Sequence, residues 1–250
     1  MDNAQNKIPK ISTKIWRPII EKLDKKMNAA CLRRDAYLNK VLEIELPYLD
    51  REVSLANSAA AQAFVAQRLD QLDRKLVSLA LRPELVERLN DICTRKRIVR
   101  DAFFNRLFLL LTASQKVINH LLFPAVGDQW RTEVWSEYKH DGPFFQNTFY
   151  PLEQDIDPFW PIRAGIEFYG KQSELRDYTN PETGAIIRVQ RDLTGKISLE
   201  ESLYTSLLTN TQVKNTDLFG LNCYIPDWRI PDHPAELEYR KQWDDIFQDL

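Results

Sequence analysis

KISTKIWRPIIEKLDKKMNAACLRRDAYLNKV (10–41) and LVSLALRPELVERLNDICTRKRIVRDAFFNRL (76–107) align without a gap when the chain is slid by 66 residues. Identical pairs are Ser12/Ser78, Glu21/Glu87, Leu23/Leu89, Arg34/Arg100, Asp35/Asp101, Ala36/Ala102 and Asn39/Asn105. Ile15/Leu81, Lys22/Arg88, Tyr37/Phe103 and Lys40/Arg106 keep their chemical type. The match is densest at RDAYLNK against RDAFFNR, and its gapless register marks an internal duplication.

Each copy opens on a short alternating run. Ile11, Thr13 and Ile15 fall on one face and Lys10, Ser12 and Lys14 on the other. In the second copy Val77, Leu79 and Leu81 oppose Leu76, Ser78 and Ala80. Period two over six residues predicts a strand. A proline follows at once (Pro18, Pro83), where a first helical turn tolerates it. Residues 19–27 and 85–93 then repeat apolar side chains at helical spacing: Ile19, Ile20, Leu23 and Met27, and Leu85, Val86, Leu89 and Cys93. After a basic break a second helix starts near Arg34 or Arg100, with Ala36, Tyr37 and Val41, or Ala102, Phe103 and Leu107, pointing inward.

Strand, helix, turn and helix in about 35 residues cannot bury their own apolar face, and a lone strand has two unpaired edges. Each copy therefore needs a partner, and antiparallel pairing of the two strands is the simplest solution. This unit resembles the ribbon-helix-helix family of DNA-binding repressors, the β-ribbon readers of the Arc, MetJ and CopG type. The resemblance covers about 32 residues in each copy. It implies that the paired strands enter the major groove of duplex DNA, outward side chains touching base edges. It also implies that the N-terminus of each second helix faces phosphate. A two-stranded ribbon fits that groove, and its alternation lets one face read bases while the other seals a core.

Carried onto this chain, the base-contacting residues are Lys10, Ser12, Lys14 and Ser78, and the phosphate-contacting residues are Arg33, Arg34, Arg95, Lys96, Arg97 and Arg100. Two departures from the family's pattern stand out. The second outward face, Leu76, Ser78 and Ala80, carries no charge. It either touches thymine methyl groups or mainly completes the fold, and such asymmetry suits a non-palindromic site. Near the helix starts Arg33 and Val99 stand where Ser or Thr is the usual cap, which leaves the backbone N–H groups as the clamp. Asp35 and Asp101 read as first-turn stabilisers of their helices. Tethering by about 34 intervening residues favours a ribbon made within one chain, with any homodimer built on top of it to span two half-sites.

Residues 43–75 read as a helical linker, with Asn57 capping a helix to Leu72 and Ala60, Ala63, Phe64 and Leu69 on its buried side. The second helix of copy two reads as running on to Pro124. Beyond it lie five of the six tryptophans and most of the prolines. There the spacing of Trp130, Val134, Trp135 and Tyr138 predicts a helix, 185–190 a strand, Ser198 with Glu201 a capping box before a helix, and the tail an acidic amphipathic helix.

Residues 1–116 carry 22 Lys+Arg against 14 Asp+Glu; residues 117–250 carry 12 against 22. A basic front joined to an acidic back predicts an anion-binding module that carries something different, and residues 1–123 are expected to stand alone. The domain reading is repeat one at 1–42, linker at 43–75, repeat two at 76–123 and an acidic, aromatic-rich partner-binding or effector region at 124–250. The fold class is mainly α with a short β-ribbon in the N-terminal half, two tandem ribbon-helix-helix repeats, and an α+β or irregular C-terminal region.

No catalytic grammar is visible: there is no GxSxG, no Gly-rich phosphate loop and no HExxH. His120, His140 and His233 have no metal-ligand spacing, and Glu153, Asp155 and Asp157 lie among prolines rather than in a calcium loop. No enzyme activity, metal or cofactor is expected. Three widely spaced cysteines, a polar first ten residues and an apolar maximum of only 107–111 point to a cytoplasmic chain with no membrane segment. The function that follows is sequence-specific binding of double-stranded DNA, as in a bacterial transcriptional repressor. The alternative is a DNA-binding accessory or antitoxin component whose residues 124–250 bind a protein partner.

Overall fold

The computed structural model describes residues 10–114, 117–118, 158–159, 162–163, 173–179, 186–192, 203–208, 212–213 and 216–248. Two strands open the copies, β1 (Lys10–Trp16) and β2 (Arg74–Ala80), and they pair antiparallel within the chain. Lys10 stands opposite Ala80, Ser12 opposite Ser78 and Lys14 opposite Leu76. Ser12 and Ser78 are also equivalents in the repeat, so the pseudo-twofold axis of the ribbon passes through that pair. Thr13, Ile15, Val77 and Leu79 are buried on the inner face, as the alternation predicts. β2 begins two residues before the expected boundary at 76, and Leu81 is buried just beyond its end.

The first helices, α1 (Arg17–Ala29) and α4 (Pro83–Arg95), are 13 residues each and start at equivalent positions of the repeat. Both stop in the same way. In α1 the N–H of Leu32 donates to the carbonyl of Met27 (2.9 Å) and that of Cys31 to Asn28 (3.1 Å). In α4 Ile98 donates to Cys93 (2.9 Å) and Arg97 to Thr94 (3.3 Å). This is the Schellman stop, which puts the residue after the cap in the left-handed region, usually a glycine. Here those residues are Cys31 (φ 56°) and Arg97 (φ 49°). The left-handed backbone costs a non-glycine roughly 1–2 kcal/mol, partly offset by glycine's larger entropy loss. Cys31→Gly is therefore expected to stabilise the chain by roughly 0.5–1 kcal/mol in urea unfolding; a loss of stability would contradict this account of the turn.

The second helices, α2 (Arg34–Glu52) and α5 (Arg100–Thr112), also start at equivalent positions but end differently. α2 runs past the expected boundary at 42, through an internal Pro47, because Leu46 and Leu49 extend its buried stripe. α5 ends at Thr112 rather than continuing to Pro124: its cap residue Ala113 turns to extended backbone. Ala36, expected inward, is exposed, whereas its equivalent Ala102 is buried. The intervening helix α3 (Ala59–Asp70) is capped by Ser58, whose Oγ accepts from the N–H of Ala61 (2.9 Å), not by Asn57. The buried stripe of α3 is Ala61, Val65 and Leu69, and Ala60 and Ala63, expected inward, are exposed.

In the back half β3 (Ser173–Thr179) and β4 (Ile186–Asp192) pair antiparallel, and β4 overlaps the strand expected at 185–190 from Ile186 onward. β5 (Gln212–Val213) and β6 (Thr216–Asp217) form a second, minimal pair. Short 3₁₀ turns at Phe219–Leu221 and Asp227–Arg229 lead to α6 (Pro234–Gln248), the expected tail helix. Residues 203–206 are turn and bend and 207–208 are irregular, where the sequence read a helix. The expected helix around Trp130 to Tyr138, the Ser198 and Glu201 box, His120, His140 and the Glu153 to Asp157 run lie outside the described residues.

Front and back share one core. Phe159, Ile162, Leu203, Tyr204, Leu208, Leu218, Leu221, Cys223 and Ile225 are buried with the helices of the repeats. Gly220 lies so close to α3 that a Cβ there would sit 2.5 Å from the Leu69 nitrogen, a position open only to glycine.

Candidate nucleic-acid interface

The ribbon is held by the side chains that the repeat keeps identical, and each helix holds the strand of the other copy. On α5, Asp101 accepts from the Thr13 hydroxyl (2.7 Å) and the Lys14 N–H (3.2 Å). Asn105 accepts from the Trp16 N–H (2.7 Å) and donates to the Lys14 carbonyl (2.9 Å), and Arg100 donates to the Ser12 carbonyl (3.1 Å). On α2 the same set is reproduced one repeat away. Asp35 accepts from the Ala80 N–H (3.0 Å), Asn39 accepts from the Arg82 N–H (2.7 Å) and donates to the Ala80 carbonyl (2.9 Å), and Arg34 donates to the Ser78 carbonyl (3.1 Å). The two aspartates thus tie strand to helix across the copies, beyond their expected first-turn role. A two-stranded ribbon is marginal alone; these bonds satisfy strand polar groups facing the helices and fix which side of the ribbon stays outward.

That outer side carries Lys10, Ser12, Lys14, Leu76 and Ser78, all exposed, with Ala80 half-buried. Leu76 is 65% exposed and stands across from Lys14. The starts of α2 and α5 flank the central Ser12–Ser78 pair, since Arg34 and Arg100 reach the carbonyls of those two serines. Neither helix start has a side-chain cap, so first-turn N–H groups remain available beside the ribbon.

The basic residues divide. Arg33 is the exposed N-cap of α2. Arg34 is only 24% exposed, paired with Asp24 (3.0 Å) and Asp35 (3.3 Å) as well as with the strand. Arg95 pairs with Asp50 (3.2 Å) and Asp91 (2.9 Å) and, by its hydrogen bond, holds the Asp50 carboxyl below the usual carboxylate range. Lys96 is 12% exposed and donates to the carbonyls of Asp50 (2.7 Å) and Val53 (2.6 Å). Arg95 and Lys96 therefore close the C-terminal end of α2, because unsatisfied carbonyls there attract cations. Arg97 occupies the left-handed turn and reaches the Asn57 carbonyl (3.4 Å). The helix starts beside the ribbon keep Arg33, Arg34 and Arg100.

Sequence reading missed three buried polar joints between front and back. Glu45 on α2 is fully buried and accepts both arms of Arg163 (2.9 and 2.7 Å) and the Tyr204 hydroxyl. Arg106 on α5 is 1% exposed, donating to the Leu203 carbonyl, Ser206 Oγ (2.7 Å) and Asn222 Oδ1 (3.5 Å); burial lowers its pKa. Asn57 donates to the Cys223 carbonyl (2.8 Å) and accepts from the Ile225 N–H (3.0 Å). A signal existed for Glu45: it interrupts an otherwise apolar helical stripe. Arg106 offered a similar one, standing inside the apolar run AFFNRLFLLL (102–111), although its repeat equivalent Lys40 is exposed.

Burial pushes the thiols of Cys93 and Cys223 up to about 12, while Cys31 is exposed. At neutral pH one of the three thiols is expected to react with a maleimide in the folded chain, read by intact mass. The buried pair also sets an alkaline limit. The ordinary value of 9.0 holds when unfolded, so the unfolded chain loses these protons first and their stabilisation, whole below pH 9.0, is lost as pH climbs toward 12.

No protein-family model, curated protein or solved structure matches this chain. Among the described residues no helix is long and apolar enough to cross a membrane, and no group of three or more His, Cys, Asp or Glu side chains is placed to hold a metal ion.

Proposed function

We propose that this chain binds double-stranded DNA sequence-specifically, by laying the β1–β2 ribbon in the major groove, and that it acts as a transcriptional repressor by occupying its site. The observation that carries the reading is the outward face of the ribbon. Lys10, Ser12, Lys14 and Ser78 are exposed on one side, while Thr13, Ile15, Val77 and Leu79 on the other side are buried. Lysine donates to the guanine O6 and N7 acceptors, and serine serves either donor or acceptor edges. Phosphate contacts fall to the uncapped starts of α2 and α5, with Arg33, Arg34 and Arg100 beside them. Repression by occupancy requires no chemistry from the protein.

The test is enrichment of duplexes from a random pool by the full chain, followed by anisotropy titration of the selected site at several salt concentrations. A selected motif whose log affinity falls linearly with log salt is the expected result. Absence of any duplex binding at low salt would overturn the proposal.

A second reading adds a protein partner on residues 124–250, as an accessory or antitoxin component would have. It is favoured by Leu237 (53% exposed) and Tyr239 (40%) on α6, among the few large apolar side chains left exposed among the described residues. A binding protein encoded nearby, captured by the native chain and lost with Leu237→Glu, would support it.

A further inference from the structure

We infer that the ribbon reads a directional DNA site, one without dyad symmetry, with the outward lysines of β1 on one side and the uncharged outward residues Leu76, Ser78 and Ala80 of β2 on the other. The cations of β2 stand apart from that face: Arg74 is 11% exposed and paired with Asp70, and Lys75 falls in the alternate register with Val77. The inference rests on the DNA-binding reading above and deepens it. Its basis is the register. The pseudo-twofold axis through Ser12 and Ser78 carries Lys10 onto Leu76 and Lys14 onto Ala80. The backbone and its clamps obey that symmetry closely: both helix starts, both Schellman turns and both Asp–Asn–Arg sets repeat. The outward side chains do not. Across the ribbon Lys14 faces Leu76 and Lys10 faces Ala80, so each end presents one ammonium and one apolar group, always with the ammonium on β1.

A symmetric scaffold with an asymmetric face discriminates between the two orientations of a duplex. Lysines seek the guanine O6 and N7 acceptors, and leucine and alanine seek the methyl of thymine. Turning the ribbon by its pseudo-twofold would set Leu76 against a guanine acceptor and leave that acceptor without its water or a donor, which costs affinity. Lys10 and Lys14 are four residues apart, about 13 Å along the strand. At 3.4 Å per nucleotide that is about four base-pair steps. The expected site carries two guanine positions about four steps apart and thymines offset toward the side of β2.

The experiment is the pool enrichment on three full-length proteins: the native chain, the Leu76→Lys/Ala80→Lys variant and the Lys10→Leu/Lys14→Ala variant. The two variants restore the symmetry of the outer face in opposite senses. Leu76 and both lysines are exposed, so at least the second variant leaves the buried face untouched. Circular dichroism and thermal melting establish folding. The native chain is expected to enrich a motif that is unlike its own reverse complement, and reversing the guanine-bearing half should lower affinity roughly ten-fold or more. A folded symmetrised variant is expected to enrich a motif closer to a palindrome. A native motif with full dyad symmetry would overturn the directional site and leave DNA binding standing. Enrichment of no duplex by the native chain would overturn the DNA-binding reading and the directional site with it.

Discussion

A fragment ending at Phe123 is expected to lose cooperative folding, although charge and composition both place a boundary there. The reason lies in α5. Every residue of it from Ala102 to Thr112 is buried, so it is covered all round rather than along one stripe. A helix of that kind belongs to the interior of a larger core. In the fragment, Tyr204 leaves the ring of Phe103 (centroids 5.8 Å apart), and Leu203, Leu218 and Leu221 leave the same core. Returning a Leu or Phe side chain to water costs about 1.5–3 kcal/mol, so a handful of them amounts to about 10 kcal/mol, comparable with a domain's whole stability of about 5–15. Arg106 and Glu45 lose their partners as well. The measurement is thermal melting of the purified fragment beside the full chain; a soluble fragment with a sharp transition near that of the whole would show the shared core to be dispensable. In the intact chain, Glu45→Ala removes the carboxylate that accepts from Arg163 and Tyr204, leaves Arg163 to its longer pair with Glu52 (3.6 Å), and is expected to cost about 3–5 kcal/mol.

The front of the molecule was legible because duplication doubles every weak signal. One alternating run of six residues is an ambiguous strand; two in register, each followed by proline and a helical stripe, fix strand, helix and pairing together. The identities in RDAYLNK and RDAFFNR proved to be the cross-copy clamps, so the repeat pointed to Asp35, Asn39, Asp101 and Asn105 before their role was visible. That role needs the partner strand's carbonyls and N–H groups, which no local pattern reports. The local pairing of the basic residues was not legible either. Charge in a sequence carries no address: Arg95 pairs with Asp50 and Lys96 donates to the last carbonyls of α2, partners that exist because α2 is longer than its copy. Ser58 rather than Asn57 capped α3 because Asn57 was claimed by backbone groups of Cys223 and Ile225, more than 160 positions away. Element identity came from periodicity, whereas buried polar joints came from tertiary contacts.

Lys10→Ala/Lys14→Ala is expected to weaken recognition of the selected duplex by orders of magnitude while leaving the fold intact. Both side chains are exposed on the outer face, and no hydrogen bond that holds the ribbon uses either ammonium: Lys14 enters the clamp only through its backbone N–H and carbonyl. Surface substitutions of this type change stability by about 0.5 kcal/mol or less. A good base contact contributes about 1–3 kcal/mol of discrimination. The two sites are about 13 Å apart on the strand, far enough for their effects to add. The double variant should therefore weaken specific binding by about 2–6 kcal/mol, which is roughly 30-fold to 10⁴-fold in Kd. Binding to an unrelated duplex measures the other part of the interaction. It runs through phosphates at the helix starts, so the same variant should lower it far less. Anisotropy titrations on the two duplexes, with melting curves as the folding control, separate these outcomes. Equal losses on both duplexes would mean that the lysines supply general attraction to phosphate, and the base-reading role of the ribbon would fall.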